Sequence, residues 1–273
     1  MEPASESPQF DAELLLRHVL GVDRVGLLLR YDMALPDAAR ARFDTLVARR
    51  ATAEPIAYIL GTRGFRTIEL LVDGRVLVPR PETEQLVDDA LAWLRAHPGP
   101  RRVVDVGTGS GAIALALATE LPAARHDVQI VATERYRAAL MVAIENRARL
   151  GLVGRVELVL ADLLAGLRGP FDVILANLPY LRTDQTHPSI ASEPATSLYG
   201  GADGFEHYRR LLTQAGNVLA PGGLLVGEID PAQAVQAVSC ASAATGRAAR
   251  TVLDYAGDAR YLVVGDEHVV TPV

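Results

Sequence analysis

Apolar positions change their spacing twice along this chain. Over the first sixty or so residues they recur at helical intervals. Phe10, Leu14, Leu15 and His18 to Leu20 form one amphipathic stretch, and Val25 to Arg30 a short second one. Pro36-Asp37 opens a third, with Phe43, Leu46 and Val47 on one face and Arg42, Arg49 and Arg50 elsewhere. Pro55 to Leu60 adds a last turn, ended by Gly61. The pattern predicts a small helical domain over residues 1–61. From Phe65 to Val78 the spacing shortens: Ile68, Leu70, Val72, Val76 and Val78 roughly alternate with other residues. Asp-Gly between alternating apolar residues is a hairpin signal, so a β-hairpin linker is expected over 62–79, turning at Asp73-Gly74.

From residue 80 to 273 strands and helices alternate. Helices are expected over Thr83–Arg95, Ser110–Glu120, Tyr136–Leu150, Glu206–Leu219 and Ala232–Ala243. Strands are expected over Arg102–Val106, Gln129–Thr133, Val156–Leu160, Phe171–Ala176, Leu224–Ile229, Ala249–Asp254 and Tyr261–Val264. Such alternation implies an α/β fold with a mostly parallel sheet covered on both faces. The last two strands are joined only by Tyr255–Arg260, which predicts an antiparallel pair at the sheet edge.

Composition narrows the function. The formal net charge is −6, so a basic footprint for nucleic acid over the whole surface is absent, and no direct nucleic-acid partner is expected. All 27 basic residues are arginine. No apolar run is long enough for a membrane span, and the N-terminus lacks the basic and apolar regions of a signal peptide. Cys240 is the only cysteine, which suits a cytoplasmic protein. The six histidines are scattered without metal-ligand spacing, so no metal is expected.

The candidate chemistry lies at the predicted carboxyl ends of strands. Asp105-Val-Gly-Thr-Gly-Ser-Gly111 joins the first sheet strand to a helix. Gly107, Thr108, Gly109, Ser110 and Gly111 bring the backbone close to a ligand at a helix N-terminus. Alone, this loop also satisfies the dinucleotide fingerprint, through Gly107, Gly109 and Ala112. Glu134 ends the next strand, where an acid accepts ribose hydroxyls of NAD or S-adenosylmethionine alike. Asp162, after the third strand, is placed for an adenine amino group.

Asn177-Leu-Pro-Tyr180 follows the fourth strand and separates these possibilities. An amide nitrogen is a poor nucleophile because its lone pair is delocalised; it must be aimed at an electrophilic carbon. The Asn177 side-chain oxygen and the Leu178 carbonyl can each accept an N–H of such a target, and Tyr180 can pack a planar group. Pro179 restricts Leu178 to extended conformations and so steadies its carbonyl. A nicotinamide-dependent oxidoreductase would leave this tetrapeptide without a role. A cofactor-binding module without turnover is a further alternative.

With these motifs in place, the chain resembles the peptide chain release factor glutamine methyltransferases (the PrmC/HemK family). The likeness also includes Glu54-Pro-Ile-Ala-Tyr-Ile-Leu-Gly-Thr-Arg63, Val78-Pro-Arg-Pro-Glu-Thr-Glu84, Glu193-Pro194 and Gly200-Gly-Ala-Asp-Gly204. It implies a class I S-adenosylmethionine-dependent methyltransferase, Rossmann-like, behind a helical substrate-recognition domain. It further implies a monomer that methylates the glutamine of a Gly-Gly-Gln loop in release factors and yields S-adenosylhomocysteine. The implied cofactor residues are Asp105, Gly107 to Gly111, Glu134, Asp162, Leu163 and Asn177; Asn177 to Tyr180 would hold the acceptor. Three positions depart from the family's habit: Leu178 replaces a proline, Ser197 an alanine, and Leu163 an aromatic residue. A ribosomal-protein glutamine or adenine N6 is the alternative acceptor. The segment Leu181–Asp203 has no clear periodicity, and is expected to be a long functional loop that orders when a partner docks.

Overall fold

The structure is a computed structural model that describes residues 7–122, 125–186 and 190–265. Pro188, part of the expected long loop, lies outside the described residues. The chain begins with α1 (Pro8–Leu20), α2 (Arg24–Leu28), α3 (Asp37–Ala51) and α4 (Ile56–Leu60). Their interior is thin. Leu15 and Val19 of α1 and Ala57 and Ile59 of α4 are buried, whereas α3 buries no residue completely. Polar contacts supplement this small core. Arg50 of α3 donates to Asp11 of α1 at 2.6 Å and to the Glu54 carbonyl at 3.1 Å.

A hairpin follows, β1 (Thr62–Phe65) and β2 (Ile68–Leu71), paired antiparallel. Its turn is Arg66-Thr67, which corrects the expected turn at Asp73-Gly74. Tertiary contacts explain the difference. Arg66 takes a positive φ of 50°. Its guanidinium donates to Glu120 at 2.8 and 2.7 Å and to Asp88 at 2.8 Å, and its backbone N–H donates to Glu84 at 3.0 Å. Asp73-Gly74 does turn, with Val76 N–H donating to the Asp73 carbonyl at 3.1 Å, but no returning strand pairs after it. Val76 and Val78 instead join the core of the following domain.

That domain contains α5 (Glu84–Ala96), β3 (Arg101–Val106), α6 (Ala112–Glu120), β4 (Val128–Glu134) and α7 (Arg137–Arg149). It continues with β5 (Val156–Leu160), β6 (Phe171–Asn177), α8 (Glu206–Val218), β7 (Leu219–Glu228), α9 (Ala234–Thr245), β8 (Ala249–Leu253) and β9 (Ala259–Val264). The strands form one seven-stranded sheet in the order β5-β4-β3-β6-β7-β9-β8. From β5 to β7 every pairing is parallel, and β9 pairs antiparallel with both β7 and β8. The short link between the last two strands sets that arrangement, as their sequence spacing predicts.

The central strands are apolar on both sides, and their alternation sorts residues between two cores. Val103, Val173, Leu175 and Val226 face α5, α6 and the hairpin. Val104, Val106, Ile174 and Leu225 face α8 and α9. Helix α6 is buried from Ala112 through Ala118, the pattern of a helix enclosed on all sides. No described helix is long and apolar enough to cross a membrane.

Candidate active site

Strand order reverses between β3 and β6. In open α/β sheets the crevice at such a switch point, outside the strand carboxyl ends, is the ligand site. Here β3 ends in the glycine loop, β4 ends on Glu134, and β6 ends on Asn177. They border one cleft with about 1000 Å³ of open space, lined also by Asp162, Leu163, Leu178 and Pro179. Gly107, Thr108, Gly109 and Ser110 all reach it, while Asp105, Gly111 and Tyr180 stand outside its lining.

The glycine loop is shaped from behind. Gly107 and Thr108 both donate their N–H to the Thr133 carbonyl of β4 at 2.9 Å. Gly107 has φ 76°, and a Cβ there would sit 2.8 Å from a Leu178 methyl. The positive φ favours glycine here, and a larger residue would also push the Leu178 side chain aside. Asp105 acts from inside. Its carboxylate accepts from Thr108 Oγ1 at 2.6 Å and from Ala114 N–H at 3.2 Å, tying the loop to the first turn of α6. Burial pushes its pKa up to about 7, against the pull of those two donors. Its other oxygen is buried with no partner among the described residues.

Glu134 faces the loop from β4. It accepts from Gly109 N–H at 3.0 Å and from Tyr136 N–H at 2.8 Å. Burial raises its pKa, and these backbone donors oppose the rise. Each carboxylate oxygen retains acceptor capacity for a hydroxyl. Across the cleft, Asp162 is ion-paired with Arg210. Leu163, buried beside it, holds a positive φ of 57°, an uncommon conformation for a branched side chain.

Asn177, at the end of β6, lines the same cleft. Its Nδ2 donates to Thr83 Oγ1 at 2.8 Å and to Glu228 Oε2 at 3.0 Å. The Tyr180 carbonyl accepts from Gln233 at 3.1 Å. Burial raises the Tyr180 hydroxyl to about 12, with the Glu228 charge adding to the effect. Glycines 200 and 204 press on the same backbone: a Cβ on Gly200 would lie 2.4 Å from the Pro179 carbonyl, and one on Gly204 2.2 Å from that of Tyr180. Leu181 N–H donates to Leu198 O at 2.9 Å, and Gly200 N–H returns to Leu181 O at 2.8 Å. The long segment after Tyr180 is thus tied down near both ends. These bonds join residues far apart in sequence, which periodicity does not register.

Residues 2–61 match the family described as the PrmC N-terminal domain, and residues 87–196 match the methyltransferase small domain. The release factor glutamine methyltransferase of Deinococcus radiodurans is 43% identical over 231 residues, covering 84% of this chain and 81% of that protein. The one from Moorella thermoacetica is 42% identical over 258 residues, covering 92% and 89%. This chain belongs to the release factor glutamine methyltransferase family. The fold itself reaches further. The hMettl16 catalytic domain superposes with a TM-score of 0.55 at 16% identity, covering 75% of this chain and 78% of that one.

Three features of this methyltransferase's site were not read from motifs. Thr83 lies in a stretch quoted only for its likeness, yet it lines the cleft. Glu228 is an acid at the end of an apolar strand, the same signal that marked Glu134; it is 2% exposed. Asn146 of α7 gave no sequence signal. Its amide pairs with both backbone groups of Leu71 at 2.7 and 3.0 Å and reaches Ser110 O at 2.9 Å, so it joins the hairpin to the glycine loop. Two of the arginines on α3 form ion pairs within the helical domain, one at the surface and one half-buried. Arg49 pairs with Glu54 and Arg50 with Asp11. No cluster of metal-ligating side chains occurs among the described residues.

Proposed function

We propose that this methyltransferase transfers the methyl group of S-adenosylmethionine, leaving S-adenosylhomocysteine, to the side-chain amide nitrogen of the Gly-Gly-Gln glutamine in peptide chain release factors, that nitrogen giving up one proton to solvent. The observation that carries the reading is the seat of Asn177-Leu-Pro179 against the glycine loop, within one cleft. The cleft fits the cofactor: the loop presents bare backbone at Gly107, Glu134 retains acceptor capacity for ribose, and Leu163 and Ile113 offer apolar walls. When bound, S-adenosylmethionine supplies an electrophilic methyl on a sulfonium.

The chain's own residues then have distinct tasks. Gly107 to Ser110 and Glu134 hold the cofactor, with Asp162 and Leu163 beside its base. Asp105 and Gly111 shape the loop from outside the lining. Asn177 Oδ1 and the Leu178 carbonyl accept the two N–H groups of the acceptor amide. They aim its nitrogen and favour the positive charge that grows there during transfer. Tyr180 borders the planar amide. Leucine at position 178 keeps the carbonyl that the task requires. Residues 1–61 recognise the partner, 62–79 link, and 80–273 catalyse. The enzyme acts as a cytoplasmic monomer, without direct nucleic-acid contact.

The test is to incubate the chain with methyl-labelled S-adenosylmethionine and, separately, release factors, ribosomal proteins and DNA. Mass spectrometry should place the label on the Gly-Gly-Gln glutamine. Label confined to a ribosomal protein or to adenine would sink the assignment.

A further inference from the structure

An asparagine amide has two ends of nearly equal shape and opposite chemistry. If Asn177 is to accept an N–H from the acceptor, its oxygen must face the cleft. A half-turn of the amide would present N–H to N–H and lose the interaction. The cleft in the free protein does not impose that choice, so it must come from groups behind the amide.

Behind it stand Thr83 and Glu228. Asn177 and Glu228 are paired residues at the ends of adjacent strands β6 and β7, so the sheet register fixes their separation. A carboxylate can only accept. Thr83 donates its single hydroxyl proton to Glu228 Oε2 at 2.7 Å, which leaves only lone pairs toward Asn177. Both acceptors lie within 3.0 Å of Asn177 Nδ2. With Glu228 ionised, the end of the amide that meets them is therefore the NH2, whichever way the group was first placed. A flipped Asn177 would forfeit both bonds and set its oxygen against a buried carboxylate.

We infer that Thr83 and Glu228 are positioning residues that fix the polarity of the Asn177 amide, leaving its oxygen as the end offered to the acceptor. The inference rests on the proposed reading only in taking the acceptor to be an N–H donor held by Asn177. Their effect passes through Asn177.

The experiment compares Thr83→Val, Thr83→Ser and Glu228→Met in the full chain, with an intact release factor and S-adenosylmethionine. Thr83→Val keeps the shape but removes one acceptor of Asn177 and the donor to Glu228. It should lower kcat about tenfold or more, while KM for the release factor and Kd for the cofactor stay within about threefold. Thr83→Ser, which keeps the hydroxyl, should recover most of the loss. Glu228→Met should lower kcat further if it folds; Thr83→Val decides the matter if it does not. A Thr83→Val variant with kcat within about twofold of wild type would overturn the inference, as would a loss not recovered by serine. A separate readout needs no acceptor. The Asn177 side-chain N–H resonances, assigned by their disappearance in Asn177→Asp, should be protected from exchange in wild type and exposed in Thr83→Val. If wild type methylates no release-factor glutamine, the functional reading falls, while protected Asn177 protons still support the clamp and unprotected ones overturn it.

Discussion

The glycine loop and helix α3 show two ways in which this chain supports a polar surface. The loop rests on a helix buried from Ala112 to Ala118 and on hydrogen bonds to Thr133 and Glu134 of the neighbouring strand β4, so its backbone has little room to move. Helix α3 buries none of its residues completely; Phe43 and Leu46 are half-buried, and ion pairs tie its end, Arg50 to Asp11 and Arg49 to Glu54. Around it Leu28, Leu29, Tyr31 and Met33 remain exposed. The contrast indicates where geometry is strictly enforced. Side-chain changes at the cleft should act through position and reach activity. Changes in the helical domain should act through local stability and act weakly.

The largest effect is expected at Asn177. Asn177→Ala should reduce methyl transfer by about 100- to 1000-fold, because it removes an acceptor that orients the nucleophile. Melting should be little changed; near-normal turnover by a folded variant would break the contrast at its strongest point. Gly107→Ala comes next. It combines a positive φ with a Cβ 2.8 Å from Leu178. Cofactor binding should weaken about tenfold or more and stability should fall by about 1–3 kcal/mol, as calorimetry would show. Unchanged affinity would mean that the two loops need not touch.

Asp105 sharpens the comparison through pH. Burial lifts its carboxyl from an ordinary value of 3.8 to about 7 in the folded state. The folded chain therefore holds a proton that the unfolded chain releases between those values. This contribution to stability is complete below the ordinary value and is lost as pH rises through about 7. Asp105→Asn keeps an acceptor for Thr108 and Ala114 but cannot ionise. Its melting temperature relative to wild type should rise between pH 5 and pH 8, and a difference independent of pH would contradict the account.

The smallest effects belong to α3. Arg50→Ala leaves Asp11, 9% exposed, without its 2.6 Å partner and should cost about 1–3 kcal/mol. Arg49 pairs with Glu54 at the surface, so Arg49→Ala should stay within about 1 kcal/mol of wild type. Thermal melts followed by circular dichroism would rank the two. Equal losses would show that burial of the pair does not govern its worth.

The sequence by itself determined the alternation of helices and strands, the two-sided burial of the central strands and the antiparallel final pair. All depend on apolar spacing and connection length within a few residues of one another. It also determined which residues carry candidate chemistry, since glycines after a strand and Asn177 to Tyr180 are local features. Tertiary structure decided the hairpin turn, where Arg66 is captured by acids of α5 and α6 more than fifteen residues away. It decided that Asp105 lies behind the cleft rather than in it, because the turn of the loop directs that strand-end side chain toward α6. It also brought Thr83, Asn177 and Glu228 within hydrogen-bonding distance from three separate parts of the chain. Hydrophobic periodicity records which face of an element is buried; it carries no record of which polar groups meet once the elements pack, and that meeting sets the orientation of the Asn177 amide.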